Sequence, residues 1–454
     1  MSRKFKTANY EETLNQTIRL AEALPPQHLV RFVVDIIAQL DLSRIYEQYA
    51  PLGGEAIAPE ILLGLLFYGY ATGLFSSRKI EKATYENLAF RFVAGGMHPD
   101  HDTIAHFRKT FLAEIQEMFV QILLLAKLAG VLTLENVSGD GSKIHADASK
   151  SKAVSYKRVE ELETQLHQEV AELFALAEQA EKGDLRLPEG LLPQDEITLR
   201  KERLAKLAEA KAVLEARAQE RYEAEKAEYE AKLGERAEKA RQSGRKPRGR
   251  EPQPPQPGPG DTDQYNFTDP DSRIMKNSTN TGFDQHYNVQ VAADQASILI
   301  VAHALSNHPN DKQELVATLD AIPPEVGKPK AAAFDNGFFS ETNIAACANR
   351  GIEPYIATGR EPHHIDWRAF FQEHPQPPTE EASAKVKMAY KLQTEIGQAI
   401  YRLRKCTVEP VIGIIKEILG FRQFSLRGLA AAAGEWCLVC LAFNLKRMHV
   451  LMTG

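Results

Sequence analysis

An interruption limits most strongly what this chain can become. Residues 134–149 (LENVSGDGSKIHADAS) read as a strand followed by a turn, and strand-like sequence resumes only at Tyr265. Between them, Ser149 to Asp263 has a different composition, so any sheet using the first strand must find its partners beyond this insertion. Inside it, Val159, Leu162, Leu166, Leu173, Leu176 and Ala180 form an apolar stripe at helical spacing. GDLRLPEGLLP breaks the stripe, and a second helix is expected from about Asp195 to Arg241, with a patchier stripe at Leu204, Leu207, Leu214 and Ala218. The pair predicts a helical-hairpin insertion over 150–244 rather than a long coiled coil. The run SGRKPRGREPQPPQPGPGD cannot bury a core, so 245–263 is expected to be a disordered Pro/Gly-rich linker.

On either side of the insertion the patterns differ. Residues 1–130 read as an all-helical domain of short helices with Gly breaks, of helix-turn-helix type. Leu29, Phe32, Val33, Ile36 and Leu40 make one buried face, and Pro59 opens an apolar core helix. One helix is expected from a Ser76 or Ser77 cap to Gly95-Gly96, and another with Asp102 as N-cap. From Tyr265, YNVQVAAD and SILIVAHAL read as strands joined by a turn at Asp294–Ala296. NDKQELVATLDAI follows as a capped helix, KAAAFD as a strand, SETNIAACANRG as a helix and EPYIAT as a strand. Two long helices close the chain, roughly Ala384–Leu419 and Ser425–Leu451. Segments 131–149 and 264–454 together predict an α/β unit, a mixed sheet with flanking helices.

The net charge of −6 argues against a nucleic-acid partner only if it is spread evenly. It is not: Lys157 to Arg241 holds 16 Lys plus Arg and 21 Asp plus Glu, so the rest of the chain is close to neutral and carries local basic clusters. No run of about 18 uninterrupted apolar residues is present, so no membrane span is expected. Four cysteines, Cys347, Cys406, Cys437 and Cys440, are too few for a disulfide framework, and a reducing cytoplasm is expected.

Three acids stand where folding alone favours apolar side chains. Asp140 lies between two glycines, Asp335 ends the run AAAF, and Glu409 shares a helix with Val408, Ile412 and Ile415. Taken alone, either Asp is more often a turn or cap residue, and a lone Glu on a helix is usually solvated or paired with Lys or Arg. Brought together, carboxylates from strand ends and a facing helix can hold divalent cations. Asp147 is a rival for the first position; the glycines beside Asp140, which let metal and phosphate come close, favour Asp140.

With GDGSKIHADAS, TDPDSRIM, HYNVQVAAD, AAAFDNGFFS and YRLRKCTVEPVIGIIK, the chain resembles the DDE transposases of bacterial insertion sequences, nearest those with a Tyr-Arg-Glu-Lys signature. The resemblance covers the chain outside the insertion. It implies a ribonuclease-H-like catalytic core, with Asp140 on the first strand, Asp335 after the fourth and Glu409 on the helix after the fifth. It also implies two Mg²⁺ or Mn²⁺ ions on those acids, and cleavage and strand transfer of double-stranded DNA, the terminal inverted repeats and the target, by a homodimer or larger assembly. In the signature, Lys416 follows Glu409 by seven residues, Lys405 stands where Arg is expected, and Tyr401 lies one place early, with Arg402 and Arg404 in between. Tyr401, Arg404, Lys405 and Lys416 are expected to meet DNA phosphates, with Lys405, Glu409 and Lys416 on one helix face. Arg273 and Lys276, in a polar loop over 267–288, are further candidates, with His286 and Tyr287 either beside the centre or simply packed. His106 and Lys109 lie early on a helix that could read a groove. His98, His101 and His106 do not have the spacing of a zinc site, His363, His364 and Asp366 read as a solvated loop, and Cys437 and Cys440 read as core. Arg422, Arg427, Lys446 and Arg447 read as solvated helix face or as lining for a DNA groove. Glu435 rivals Glu409 but has no basic cluster around it in the sequence. A DNA-binding relic and a nuclease of the same fold without strand transfer are the alternatives.

Overall fold

The computed structural model describes residues 17–50, 54–244, 251–277, 282–359 and 376–453. The N-terminal region is helical: α1 (Leu29–Ile37), α2 (Pro59–Ala71), α3 (Ser77–Glu86), α4 (Leu88–Val93), α5 (His101–Thr110) and α6 (Leu112–Leu128). Pro59 sits in the first turn of α2, which is apolar all round and buried all round. The single helix expected to reach Gly95-Gly96 is two, because the Asn87 side chain accepts from the Ala89 and Phe90 N–H groups and starts α4. The cap of α5 is Asp100 rather than Asp102. Its Oδ1 accepts from the Thr103 N–H at 2.8 Å, while Asp102 lies exposed in the first turn. Strand β1 (Asn136–His145) follows.

The chain forms two compact units, one of 1–147 with 286–454 and one of 148–285. The second unit holds β2 (Ala153–Ser155), α7 (Tyr156–Glu181), α8 (Pro193–Ser243), β3 (Gln264–Asn266) and β4 (Arg273–Lys276). Val159, Leu166, Leu207 and Leu214 of the hairpin bury against one another and against Tyr265. Arg221 pairs with Asp263 at 3.0 Å, Arg217 donates to the Pro270 carbonyl, and β2 pairs with β3. These contacts group 264–285 with the hairpin, and they turn part of the polar loop expected over 267–288 into strand. Among the described residues of the Pro/Gly-rich run, 251–263 has no helix or strand; 245–250 lie outside them.

In the first unit, β1 runs antiparallel to β5 (Phe283–Asp294), which pairs with β6 (Ile300–Ser306), also antiparallel. On its other side β1 runs parallel to β7 (Ala331–Phe334), and β7 parallel to β8 (Glu353–Ile356). Within this unit the order is β6-β5-β1-β7-β8, a mixed sheet. The β5–β6 turn is longer than expected. The Asp294 N–H donates to the Leu299 carbonyl, and its carboxylate takes both the N–H and the hydroxyl of Ser297. Helices α9 (Glu314–Asp320), α10 (Glu341–Asn349), α11 (Ala384–Gln393), α12 (Glu395–Gly413) and α13 (Leu429–Thr453) complete the unit. The expected helix Ala384–Leu419 breaks at Thr394, whose hydroxyl caps α12 at the Gly397 N–H, and ends in a π turn over 414–418. The chain is thus mixed α/β with many helices and an N-terminal helical region.

Helix α13 is long and apolar enough to cross a membrane by length and composition, yet most of it is buried inside the protein. It packs against α1, α2 and α6 and against β6. The Asn444 side chain bonds both the N–H and the carbonyl of Ile300, at 2.8 and 2.7 Å, satisfying an edge strand. Glu435, with no basic cluster around it in the sequence, finds a basic partner on α5. Arg108 lies 3.7 Å away and donates to the Tyr70 hydroxyl at 2.7 Å, and Tyr70 donates to Glu435. Ser425 and Leu426 N–H groups complete the carboxylate. Glu435 is therefore a satisfied structural acid. Removing one partner of a buried pair strands the other charge. Arg108→Met should cost about 3–5 kcal/mol in urea unfolding, and adding Glu435→Leu should restore most of it.

Candidate active site

Alternation along β1 sends Ser138, Asp140 and Ser142 to one face and Gly139 and Gly141 to the other. The first face runs along α12 and the turn after it. Gln295 donates to the Ser138 hydroxyl and to the Ile400 carbonyl, Arg404 reaches Asp140, and Lys416 donates to the Ser142 hydroxyl at 2.6 Å. Asp140 thus stands mid-strand, not at a strand end, while Asp335 directly follows β7 on the neighbouring parallel strand.

The glycines serve packing. A Cβ on Gly139 would strike the Phe334 ring, and one on Gly141 would lie 2.5 Å from the Gln290 amide and 2.6 Å from Asp311 Oδ1. The expected reason for them, close approach of metal and phosphate, gives way to a simpler one: the protein's own side chains occupy that space.

Burial and the neighbouring Asp335 charge push the Asp140 carboxyl up to about 7, against the pull of Arg404. Burial also raises Asp335, whose Oδ1 accepts from the Gly337 N–H at 2.8 Å. Arg404, 9% exposed, places one nitrogen 3.5 Å from Asp140 Oδ2 and another 3.0 Å from Glu409 Oε1. It joins the third acid to the first, and it lies over the Tyr401 ring at 5.7 Å. Tyr401 packs against Ala331, Ala333 and Tyr355 of the sheet.

Other expected residues lie as follows. Lys405 is exposed on α12. Lys416 does not continue its face, because the π turn shifts the register and sends its ammonium to Ser142 and the Lys143 carbonyl, where burial lowers its pKa. Asp147 pairs with Arg427 at 2.8 Å. His286 lies tilted against the His145 ring, and Tyr287 is fully buried against Phe424. Arg273 and Lys276 belong to the second unit, where Arg273 donates to the Pro270, Asp271 and Ser272 carbonyls. His106 and Lys109 are exposed on α5, and His106 lines a cavity of about 700 Å³ that none of the three acids reaches. His98 and His101 bond Thr84 and Glu81. His363, His364 and Asp366 lie outside the described residues. Asp311, which the sequence reading passed over as part of a helix cap, acts electrostatically on both Asp140 and Asp335.

Among the described residues, no three His, Cys, Asp or Glu side chains stand close enough to hold a metal ion by themselves. The donor set nonetheless fits Mg²⁺ or Mn²⁺. Mg²⁺ takes one or two carboxylates and keeps waters or substrate phosphate for the rest, and Asp140 and Asp335 are two hard-oxygen donors with too little counter-charge.

The raised carboxyl of Asp140 has a consequence for stability. Folding favours its protonated form, so its contribution is complete below the ordinary carboxyl pKa near 4 and is lost as pH rises through about 7. Without divalent ions, Asp140→Asn should melt close to wild type at pH 4 and above it at pH 8, by up to about 4 kcal/mol. A difference that does not vary with pH would contradict this.

Two family models match. One, described as Transposase domain (DUF772), covers residues 18–110 and so spans α1 to α5. The other, described as Transposase DDE domain, covers residues 375–449, with α11, α12 and most of α13. Arg404 and Glu409 fall inside the second match, and Asp140 and Asp335 outside both. No curated protein and no solved structure matches. The chain thus carries a transposase domain over its first helices and a transposase DDE domain over the helix that bears Glu409, and the two matches support an insertion-sequence DDE transposase.

Proposed function

We propose that the chain cleaves DNA at the ends of its element and joins the freed 3′-hydroxyl to target DNA, with Asp140, Asp335 and Glu409 as the catalytic acids. The observation that carries this is the nearness of Asp140 on β1 to Asp335 just past the end of β7, the parallel strand beside it, with the Asp335 charge acting on Asp140 and Glu409 tied to Asp140 through Arg404. The strand order supports a ribonuclease-H-like core. Counted without the second unit's own strands, Asp140 is on the first strand, Asp335 follows the fourth and Glu409 is on a helix after the fifth.

Asp140 and Asp335 would hold divalent cations, with Glu409 completing the set once Arg404 releases it. Bound there, such ions activate the attacking oxygen and stabilise the leaving one in phosphoryl transfer. Asp140 must lose its proton to serve, so activity should rise with pH through about 7. Arg404, freed from the acids, is placed to meet a DNA phosphate beside Tyr401, as its planar fork suits. The N-terminal helices over 1–130 would bind the terminal inverted repeats. Work at two element ends calls for a dimer or larger assembly, in the bacterial cytoplasm where the DNA lies.

The test is incubation of linear element ends and a target with Mg²⁺, scoring cleaved and joined products. Asp335→Ala should lose end cleavage by on the order of 10³-fold, about 4 kcal/mol of transition-state stabilisation. Equal cleavage by wild type and variant would refute the assignment. Cleavage without joined products would mark a nuclease, and end binding without cleavage a DNA-binding relic.

A further inference from the structure

Asp311 opens a 3-10 turn between β6 and α9, and that turn packs against the one that follows Asp335. Its Oδ1 accepts from the Asn288 amide at 2.7 Å and from the Gln290 amide at 2.9 Å. Both amides project from β5 on the face that Gly139 and Gly141 leave open, since Gln290 pairs with Gly141 and Asn288 with Lys143. Asp311 thus reaches across β5 to the bare backbone of Gly141, next to Asp140. No Lys or Arg is paired with it among the described residues. Its charge adds to the repulsion felt by Asp140 and by Asp335.

A second observation is independent of these charges. Gln290 and Asn288 are 0% and 1% exposed, yet Gln290 Oε1 and Asn288 Oδ1 have no hydrogen-bond partner. Gln290 Oε1 would lie 2.9 Å from a Cβ on Gly141, in the same space as Asp311 Oδ1. Buried carbonyl oxygens without donors are costly. Here two of them flank a carboxylate that takes both amide hydrogen bonds on Oδ1. The Asn288 amide spends both of its N–H groups, on Asp311 and on the His308 carbonyl, while both carbonyl oxygens still lack a donor. A hydrated divalent cation is what supplies donors to such a group: its retained waters are strongly polarised and need acceptors.

Resting on the function proposed above, we infer that Asp311 is a fourth acidic residue of the catalytic centre. It is a positioning residue that, with the Gln290 and Asn288 carbonyls, accepts hydrogen bonds from water on the cation held by Asp140 and Asp335. The three lie on the glycine side of β1, opposite Arg404 and Glu409, so the centre is held from both faces of the sheet.

The test is Mn²⁺ binding to the DNA-free protein, read as loss of the free-ion electron paramagnetic resonance signal, with melting followed in parallel. Asp335→Asn serves as the reference for loss of a direct ligand. Asp311→Asn should weaken Mn²⁺ binding about tenfold or more, and Gln290→Met, which keeps Asp311, should weaken it in the same direction. Wild-type affinity in Asp311→Asn overturns the inference. If that variant does not melt cooperatively, wild-type affinity in Gln290→Met overturns it instead. Should Asp335→Asn weaken binding and Asp311→Asn not, only this inference fails. Should neither change it, the metal-dependent reading of the site fails as well.

Discussion

Arg404 holds the acids of this chain in a folded arrangement. Two carboxylates, one on a strand and one just past the end of its neighbour, stripped of much of their water, repel each other, and a third stands on the helix that covers them. One guanidinium contacts the first and the third and pulls on the second. Its planar fork can do this where a lysine ammonium, a point charge, would favour one partner. The price is a buried arginine whose Nε has no partner. The Tyr401 ring beneath it gives the guanidinium a surface to lie on, anchored in turn on β7 and β8.

The helix beyond Glu409 does not continue evenly. Pro410 lacks an N–H, so the Cys406 carbonyl loses its helical donor. The helix then loosens into a π turn that delivers Lys416 to the backbone of β1. Arg404 and Lys416 therefore bracket the strand carrying Asp140, one at its charged centre and one nearer its end. Helix and strand are registered by two cations.

Much of the fold was legible because it rests on periodicity: the buried face of α1, the hairpin stripe and the alternating run of β5 all appear where spacing places them. What was not legible depends on contacts distant in the chain or on a choice between near-equal neighbours. Asp100 and Asp102 are equally good caps by type, and only the geometry of Thr103 decides. The break at Thr394 interrupts a pattern whose apolar spacing gives no warning. At the site, the acids stood out as misplaced polar residues, but their supports did not. Lys405 has the helical spacing to Glu409, yet Arg404, one residue earlier, is turned inward and reaches it. Glu435 looked unpaired because Arg108 comes from the other end of the sequence. Asp311 drew no notice inside the segment NDKQELVATLDAI, and only the sheet brings it to Gly141. The glycines were correctly noticed and given the wrong reason, since a missing side chain does not say what fills its place.

Helix α13 lies against α1, α2 and α6, and it also satisfies the edge strand β6. During synthesis it leaves the ribosome after every element it supports. The N-terminal helices must therefore wait, with apolar α2 uncovered, until almost all the described chain has been made. A copy of the gene cut short before α13 would yield a polypeptide with acids and strands but without the pillar that closes both. Decayed copies of a mobile element would on this account make chains that fail to fold, rather than half-active enzymes loose among the host's DNA.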